Sequence, residues 1–274
     1  MRVNLKSFLK YYRMKDWRAY FALGVFGFVI AQGFLFPLLD VVLFFIIAVL
    51  LLAFGFSVNN FFDVKEDREK GETINLLIQN KKNFLFSISP GILGLFLSTF
   101  FGIKVFLFVL VAGLIGFFYS APPLRMKSSP FLDLISHGLF AGALIFIFPF
   151  LIFSPKLTLF HYLIAFSIFY LSAMLEMRNH LEDYRSDFRA GLKTTVCFLG
   201  YKNSANFLKY LAFFYPLTLF PIFFLISQKF LFFFLILTIF FLLLFLSKKN
   251  YQIIDTYYSV FSYLTIAAAT LYPW

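Results

Sequence analysis

Nine runs of apolar residues, each close to the length that crosses a bilayer, limit what this chain can fold into. They lie at about 17–36, 38–60, 84–101, 103–119, 131–153, 158–179, 205–226, 229–247 and 256–273, the third and fourth parted only by Gly102 and Lys104. Runs of roughly 18 residues or more read as spanning helices, because a helix satisfies its own backbone hydrogen bonds where no water can. Composition agrees: 61% of the 274 residues are hydrophobic and 14% are charged, against roughly half and a quarter in a soluble domain. The expected fold is all-α, a polytopic membrane bundle of nine transmembrane helices forming one domain over 1–274. No detachable soluble domain, Pro-rich linker, low-complexity tail or secretory signal is evident.

The formal net charge of +11 invites a nucleic-acid reading, but its placement argues for topology instead. With nine spans and the N-terminus inside, twenty of the 24 Lys and Arg fall on one side, and Lys104, Lys156 and Lys229 on the other. That bias marks the first side as cytoplasmic, in an integral protein of the cell membrane. Leu5, Phe8, Leu9 and Tyr12 recur at helical spacing among lysines, which suits a short interfacial helix over 5–12. The single Cys197 offers neither a disulfide framework nor a metal set and reads as a small packing residue.

The acidic residues are fewer and more telling. "NNFFDVKED" places Asn59, Asp63 and Asp67 at i, i+4 and i+8, and "NHLEDYRSD" repeats the spacing with Asn179, Asp183 and Asp187. Such positions drift only about 40° per step around an α-helix, so each set shares one face. The two copies of N-x3-D-x3-D lie 120 residues apart, each ending an even-numbered span on the cytoplasmic side. Four helices separate them, so the carrying helices run the same way. This is the trace of a parallel internal repeat: two four-helix pseudo-repeats plus a ninth helix.

Carboxylate clusters that approach one another repel unless a cation lies between them. Hard oxygen donors suit Mg²⁺, which commonly bridges carboxylates to a phosphate and neutralises charge on a leaving oxygen. Arg68, Arg125, Lys127 and Lys193 are the candidates to complete an anion clamp. A diphosphate fits, and the apolar bundle would hold a hydrocarbon attached to it while excluding water.

These residues resemble the UbiA superfamily of intramembrane prenyltransferases. "NNFFDVKED" is similar to its first Asp-rich motif. "DYRSDFRAGLKTT" is similar to the second, and "YSAPPLRMKSSPFLDLISHGL" to the loop between them. The resemblance covers most of the chain. It implies that Asn59, Asp63 and Asp67 hold one Mg²⁺ and that Asp183 and Asp187 hold another. Tyr119, Arg125 and Lys127 would line the diphosphate or help ionise the substrate, and Lys193 would contact phosphate. The stretches 64–83 and 188–204 would be cap loops over the site. One departure is plain: many members carry Arg-Pro or Asn-Pro after the first motif. Here "GETINLLIQNKK" offers Asn75 followed by Leu76. Arg68, just after Asp67, is the nearest cation to replace that contact.

Other polar residues admit simpler readings. Glu176 and Glu182 are each a candidate base for the acceptor, though Glu182 points off the motif face. Asp133 would orient Lys127 or cap the fifth span. His137 and His180 show no metal or triad pattern and read as structural. The expected function is Mg²⁺-dependent transfer of a polyprenyl group from its diphosphate to an aromatic quinone-precursor acceptor. A glycerol-phosphate ether lipid is the alternative acceptor, and a cation-coupled transporter is the alternative of another class. The expected partners are the prenyl diphosphate, the acceptor and membrane lipid, with no nucleic acid and no obligatory protein partner.

Overall fold

The computed structural model describes residues 11–69, 71, 84–154, 156–248 and 253–271. Among these, every regular element is a helix. In chain order they are α1 (Arg18–Ile30), α2 (Leu38–Phe62), the short α3 (Val64–Glu69), α4 (Phe84–Ser98) and α5 (Ile103–Ser120). Then come α6 (Leu132–Phe153), α7 (Leu159–Glu182), α8 (Tyr184–Ala190) and α9 (Thr195–Leu199). The series ends with α10 (Tyr201–Ile226), α11 (Gln228–Lys248) and α12 (Ser259–Leu271).

Among the described residues, seven helices are long and apolar enough to cross a membrane, matching the second to eighth expected spans. The first and ninth are shorter as regular α-helix. α1 has 13 residues and stops where Gln32 turns left-handed at φ 54°. α12 also has 13 and follows a π-helical stretch, Ile253–Tyr258. The soft boundary between α4 and α5 is set by Gly102, whose φ of 88° ends one helix and starts the next.

Large apolar side chains such as Leu38, Phe96, Leu217, Phe232 and Leu243 are exposed, as they are when the surrounding solvent is lipid. The core is aromatic and aliphatic, with Phe44, Ile47, Phe146, Ile164 and Ile168 fully buried. α2 packs along α4, and α7 along α10 and α6. The α6–α7 contact depends on small residues: a Cβ on Gly142 would lie 2.8 Å from Ser172 Cβ and 3.2 Å from the Ile168 carbonyl. Buried hydroxyls pair across helices. Ser167 and Tyr263 lie 3.0 Å apart, and Tyr215 donates to Tyr263 at 3.1 Å, which ties α7, α10 and α12 together. Near the N-terminus, Asn60 donates to the Tyr11 carbonyl at 2.7 Å, and Tyr12 donates to the Phe86 carbonyl at 3.0 Å. The preceding residues 1–10 lie outside the described ones, and so does most of the expected interfacial helix.

Candidate active site

Both Asp motifs are built in the same way. α2 ends as the Asp63 N–H bonds the Asn59 carbonyl at 3.0 Å, and the Asp67 N–H then bonds the Asp63 carbonyl at 2.9 Å. In the second motif Asp183 N–H reaches the Asn179 carbonyl at 2.9 Å, and Asp187 N–H the Asp183 carbonyl at 3.0 Å. The middle aspartate is the hinge in each case, at φ −94°, ψ 15° for Asp63 and φ −89°, ψ 1° for Asp183. A short helix follows each hinge, α3 in one copy and α8 in the other. The helical bonding thus carries through the bend, and the three side chains of each set stay on one face.

α3 and α8 pack against each other, and Lys65 Nζ donates to the Ala190 carbonyl at 2.5 Å. Gly191, at φ 80°, stops α8 there. Of the two expected cap loops, each therefore begins with a helical turn, and these turns meet. Residues 72–83, with Asn75 and Leu76, lie outside the described ones.

The loop between α5 and α6 brings two cations to the first motif. Arg125, left-handed at φ 38°, turns the chain so that its guanidinium pairs with Glu66 at 2.6 Å and approaches Asp63 at 3.8 Å. Lys127 is buried and donates to Asp63. Burial pushes the Asp63 carboxyl above its ordinary range, against the pull of Lys127. Asn59 donates to Ser120 Oγ at 3.2 Å. Asp133 does not orient Lys127. It accepts from the Thr195 N–H at 2.6 Å and from Thr195 Oγ1, and its Oδ1 takes the Leu134 N–H at 2.9 Å. It thus sits in the first turn of α6 and anchors the start of α9.

A second polar cluster lies deeper, centred on Glu176. Tyr119 donates to its Oε1, where His180 Nε2 also lies at 3.1 Å. Asn179 donates to its Oε2 at 3.2 Å, and His137 Nε2 lies 3.4 Å from the same atom. The two histidines, read as structural from the sequence, both stand on the cavity wall. Their signal was present: Asp133-x3-His137 and Glu176-x3-His180 each place a carboxylate and an imidazole one turn apart.

Motif residues and the Glu176 cluster share a single cavity of about 500 Å³. Its polar wall holds Asn59, Asp63, Asp67, Asp183, Asp187, Tyr119 and Lys127. Toward the N-terminal half of α2 the wall becomes apolar, with Phe44, Phe45, Phe108, Leu144 and Phe148. Phe44 and Asn59 are fifteen residues apart on one helix, so the cavity extends about 22 Å along α2. Arg68 and Lys193 are exposed and lie off this wall, and Lys193 is held by its backbone N–H to Ser128 Oγ at 3.1 Å. Glu182 reaches only the rim, its side chain 72% exposed and 3.8 Å from Arg178. Cys197 is a half-buried free thiol.

The donor set fits a hard divalent cation. Seven carboxylates line the cavity, against Arg13, Lys127 and two histidines. Buried Glu66 Oε2 has no hydrogen-bond partner. All the motif donors are oxygens, the ligand type that Mg²⁺ takes. Among the described residues no three metal-ligating side chains already converge on one point. Asp63 instead carries Lys127.

The sequence pattern of the UbiA prenyltransferase family matches residues 20–263. A curated relative, 1,4-dihydroxy-2-naphthoate octaprenyltransferase of Bacillus subtilis (strain 168), is 29% identical over 99 residues. That match covers 36% of this chain and spans about a third, 32%, of the relative's length. A UbiA homolog from Archaeoglobus fulgidus, solved bound to DMAPP and Mg²⁺, superposes with a TM-score of 0.70 at 23% identity, covering 97% of this chain and 98% of that one. A structure described for a digeranylgeranylglyceryl phosphate synthase gives 0.68 at 22% identity, covering 97% of each chain. Identities this low establish a shared fold.

Proposed function

The chain belongs to the UbiA prenyltransferase family, and on that premise we propose that it is a Mg²⁺-dependent intramembrane prenyltransferase. Its donor would be a prenyl diphosphate and its acceptor an aromatic quinone precursor. One observation carries this reading. A single cavity joins two N-x3-D-x3-D carboxylate sets at one end to a slot of phenylalanines at the other. That shape suits an anionic head and a hydrocarbon tail.

Asn59, Asp63 and Asp67 would hold one metal ion, and Asp183 and Asp187 a second. Bound there, the ions would neutralise charge on the departing diphosphate oxygens. Lys127 and Arg125 supply further positive charge on the same side, and Tyr119 closes the floor beneath them. The phenylalanines and the bundle around them exclude water from the carbon that loses its diphosphate. The matched backbone of the two motifs and the α2–α4 and α7–α10 pairings support the reading of nine spans in two parallel four-helix repeats plus one. The lysine and arginine bias supports a cytoplasmic site and a cytoplasmic N-terminus in the cell membrane.

The partial likeness to the naphthoate enzyme favours an aromatic acceptor. The fold shared with the digeranylgeranylglyceryl phosphate synthase favours a glycerol-phosphate hydroxyl as the second reading. Transport is disfavoured because both carboxylate sets stand at helix ends, whereas transport sites usually lie near the midplane on broken helices. The test incubates the purified chain with labelled geranylgeranyl diphosphate, Mg²⁺ and, in separate arms, a dihydroxynaphthoate and a prenylated glycerol phosphate. Transfer in one arm names the acceptor class. EDTA should abolish it, and Asp63→Asn or Asp183→Asn should each lower it by about 100-fold or more. Transfer unchanged in both variants would refute the two-metal reading.

A further inference from the structure

Both acceptor classes are anions, one through a carboxylate and the other through a phosphate. Such a group needs a cation that the diphosphate and its metal ions do not claim. Lys127 is engaged by Asp63. Among the described residues the cavity wall holds one other lysine or arginine, Arg13. Resting on the prenyltransferase reading, we propose that Arg13 binds the anionic group of the acceptor and so sets which acceptors are used.

The segment before α1 is fastened on both sides of Arg13. Tyr11 is buried, its hydroxyl paired with Ser87 of α4 and its carbonyl accepting from Asn60 of α2 at 2.7 Å. The Tyr12 hydroxyl donates to the Phe86 carbonyl at 3.0 Å, and the Trp17 indole N–H to the Tyr12 carbonyl at 2.7 Å. Between these points the chain turns sharply, and the Asp16 N–H closes the turn on the Arg13 carbonyl at 2.8 Å. Arg13 itself is left-handed, at φ 50° and ψ 39°. Glycine would make this turn without strain. Side chains kept in that region against their preference gather at functional sites.

The strained turn lays the guanidinium over the Phe56 ring, 5.4 Å from its centroid. Tyr20 packs edge-on against the same ring at 5.6 Å. Phe56 precedes Asn59 by three residues, about 4.5 Å along α2. Its level on the helix therefore falls between the carboxylate sets and the phenylalanine slot, where the prenyl C1 would pass from head to tail. Beside it on the cavity wall is Gly55, where a Cβ would meet nothing within 4 Å, so the floor there is open.

The guanidinium has donors to spare. Of its five N–H groups, the Nε–H donates to Asp16 at 2.7 Å, the one hydrogen bond the side chain makes among the described residues. Asp16 thus orients the group and leaves its terminal nitrogens to a ligand. A planar fork of this kind matches a carboxylate or a phosphate with two parallel hydrogen bonds. The side chain is 41% exposed, so a ligand entering the mouth can reach it. Separate cations for donor and acceptor also let two anions share one cavity, since each is neutralised where it is held.

The experiment measures transfer and Mg²⁺-dependent binding of geranylgeranyl diphosphate by the purified chain, with a dihydroxynaphthoate and a prenylated glycerol phosphate in separate arms. In the arm that transfers, the uncharged counterpart, a dihydroxynaphthalene carboxamide or a prenylated glycerol, is added as a competitor. The wild type should hold the anion about 10- to 100-fold more tightly than its counterpart. Arg13→Gln should raise the acceptor KM by about that factor and hold anion and counterpart alike, with donor binding unchanged. Arg13→Lys, which keeps the charge and loses the fork, should recover part of the affinity. Arg13→Gly relaxes the left-handed backbone, so the same loss in that variant would come from the missing side chain and not from unfolding. An acceptor KM for Arg13→Gln within about threefold of wild type overturns the proposal. So does an equal rise in the donor KM, which would place Arg13 on the diphosphate. A wild type that binds the uncharged counterpart as tightly as the anion overturns it without any variant. Absence of transfer by the wild type in both arms is a different result, because it overturns the prenyltransferase reading and this proposal with it.

Discussion

Lys127 does two things at once in this structure. It neutralises Asp63, which burial has made hard to ionise, and it holds a carboxylate that a divalent ion would otherwise engage. Removing its charge leaves a buried carboxylate short of its partner, a loss that costs about 3–5 kcal/mol when such pairs are broken. Arg125, at 3.8 Å, covers part of that loss. Lys127→Met should therefore lower the thermal unfolding midpoint in metal-free buffer, and added Mg²⁺ should raise the midpoint more in the variant than in the wild type. Equal Mg²⁺ responses would show that Asp63 does not engage the ion. At this scale the aspartates were legible because charge is rare in so apolar a chain. The histidines were legible only in part: Glu176 stands one turn before His180 on the same helix, whereas the contacts of His137 with Glu176 and of His180 with Asp133 cross between helices, and no spacing encodes those.

The elements that matter most are the helix ends. α2 and α7 each bend at the middle residue of an N-x3-D-x3-D run and continue as a short helix, so one sequence pattern gives one local geometry twice. Period and polarity sufficed to expect this, since a face is a matter of angle along a single helix. Contacts between elements depend instead on small residues at particular heights. Gly142→Val would push a side chain into Ser172 and the Ile168 carbonyl, and overpacking of this kind costs about 1–3 kcal/mol. Because His137 of α6 and Glu176 of α7 both line the cavity, the same change should impair transfer as well as lower the melting temperature. Full activity at an unchanged melting temperature would show that α6 can shift without consequence.

For the whole molecule, the deciding feature is one cavity that changes character along its length. Phe148 is almost wholly buried, 5.2 Å from the Phe44 ring and stacked on Phe108 at 6.1 Å, near the apolar end. Phe148→Ala should lengthen the slot and shift the preference toward longer prenyl donors. The expected change is about tenfold in the ratio of kcat/KM values for two donors differing by one isoprene unit. An unaltered ratio would place the tail elsewhere.

By itself the sequence determined that the chain lies in a membrane as helices, because apolar length and backbone hydrogen bonding leave no other solution. It also determined which face of two helix ends carries the carboxylates, since spacing along a helix is fixed by its pitch. Only the tertiary structure decided which cations reach them: Arg125 and Lys127 turn inward, while Arg68 and Lys193 stay in solvent. It also decided which few of the 46 phenylalanines line the slot, and that Glu176 gathers two histidines from two helices. Those choices depend on how helices distant in sequence approach and rotate against one another, which is a property of packing in three dimensions.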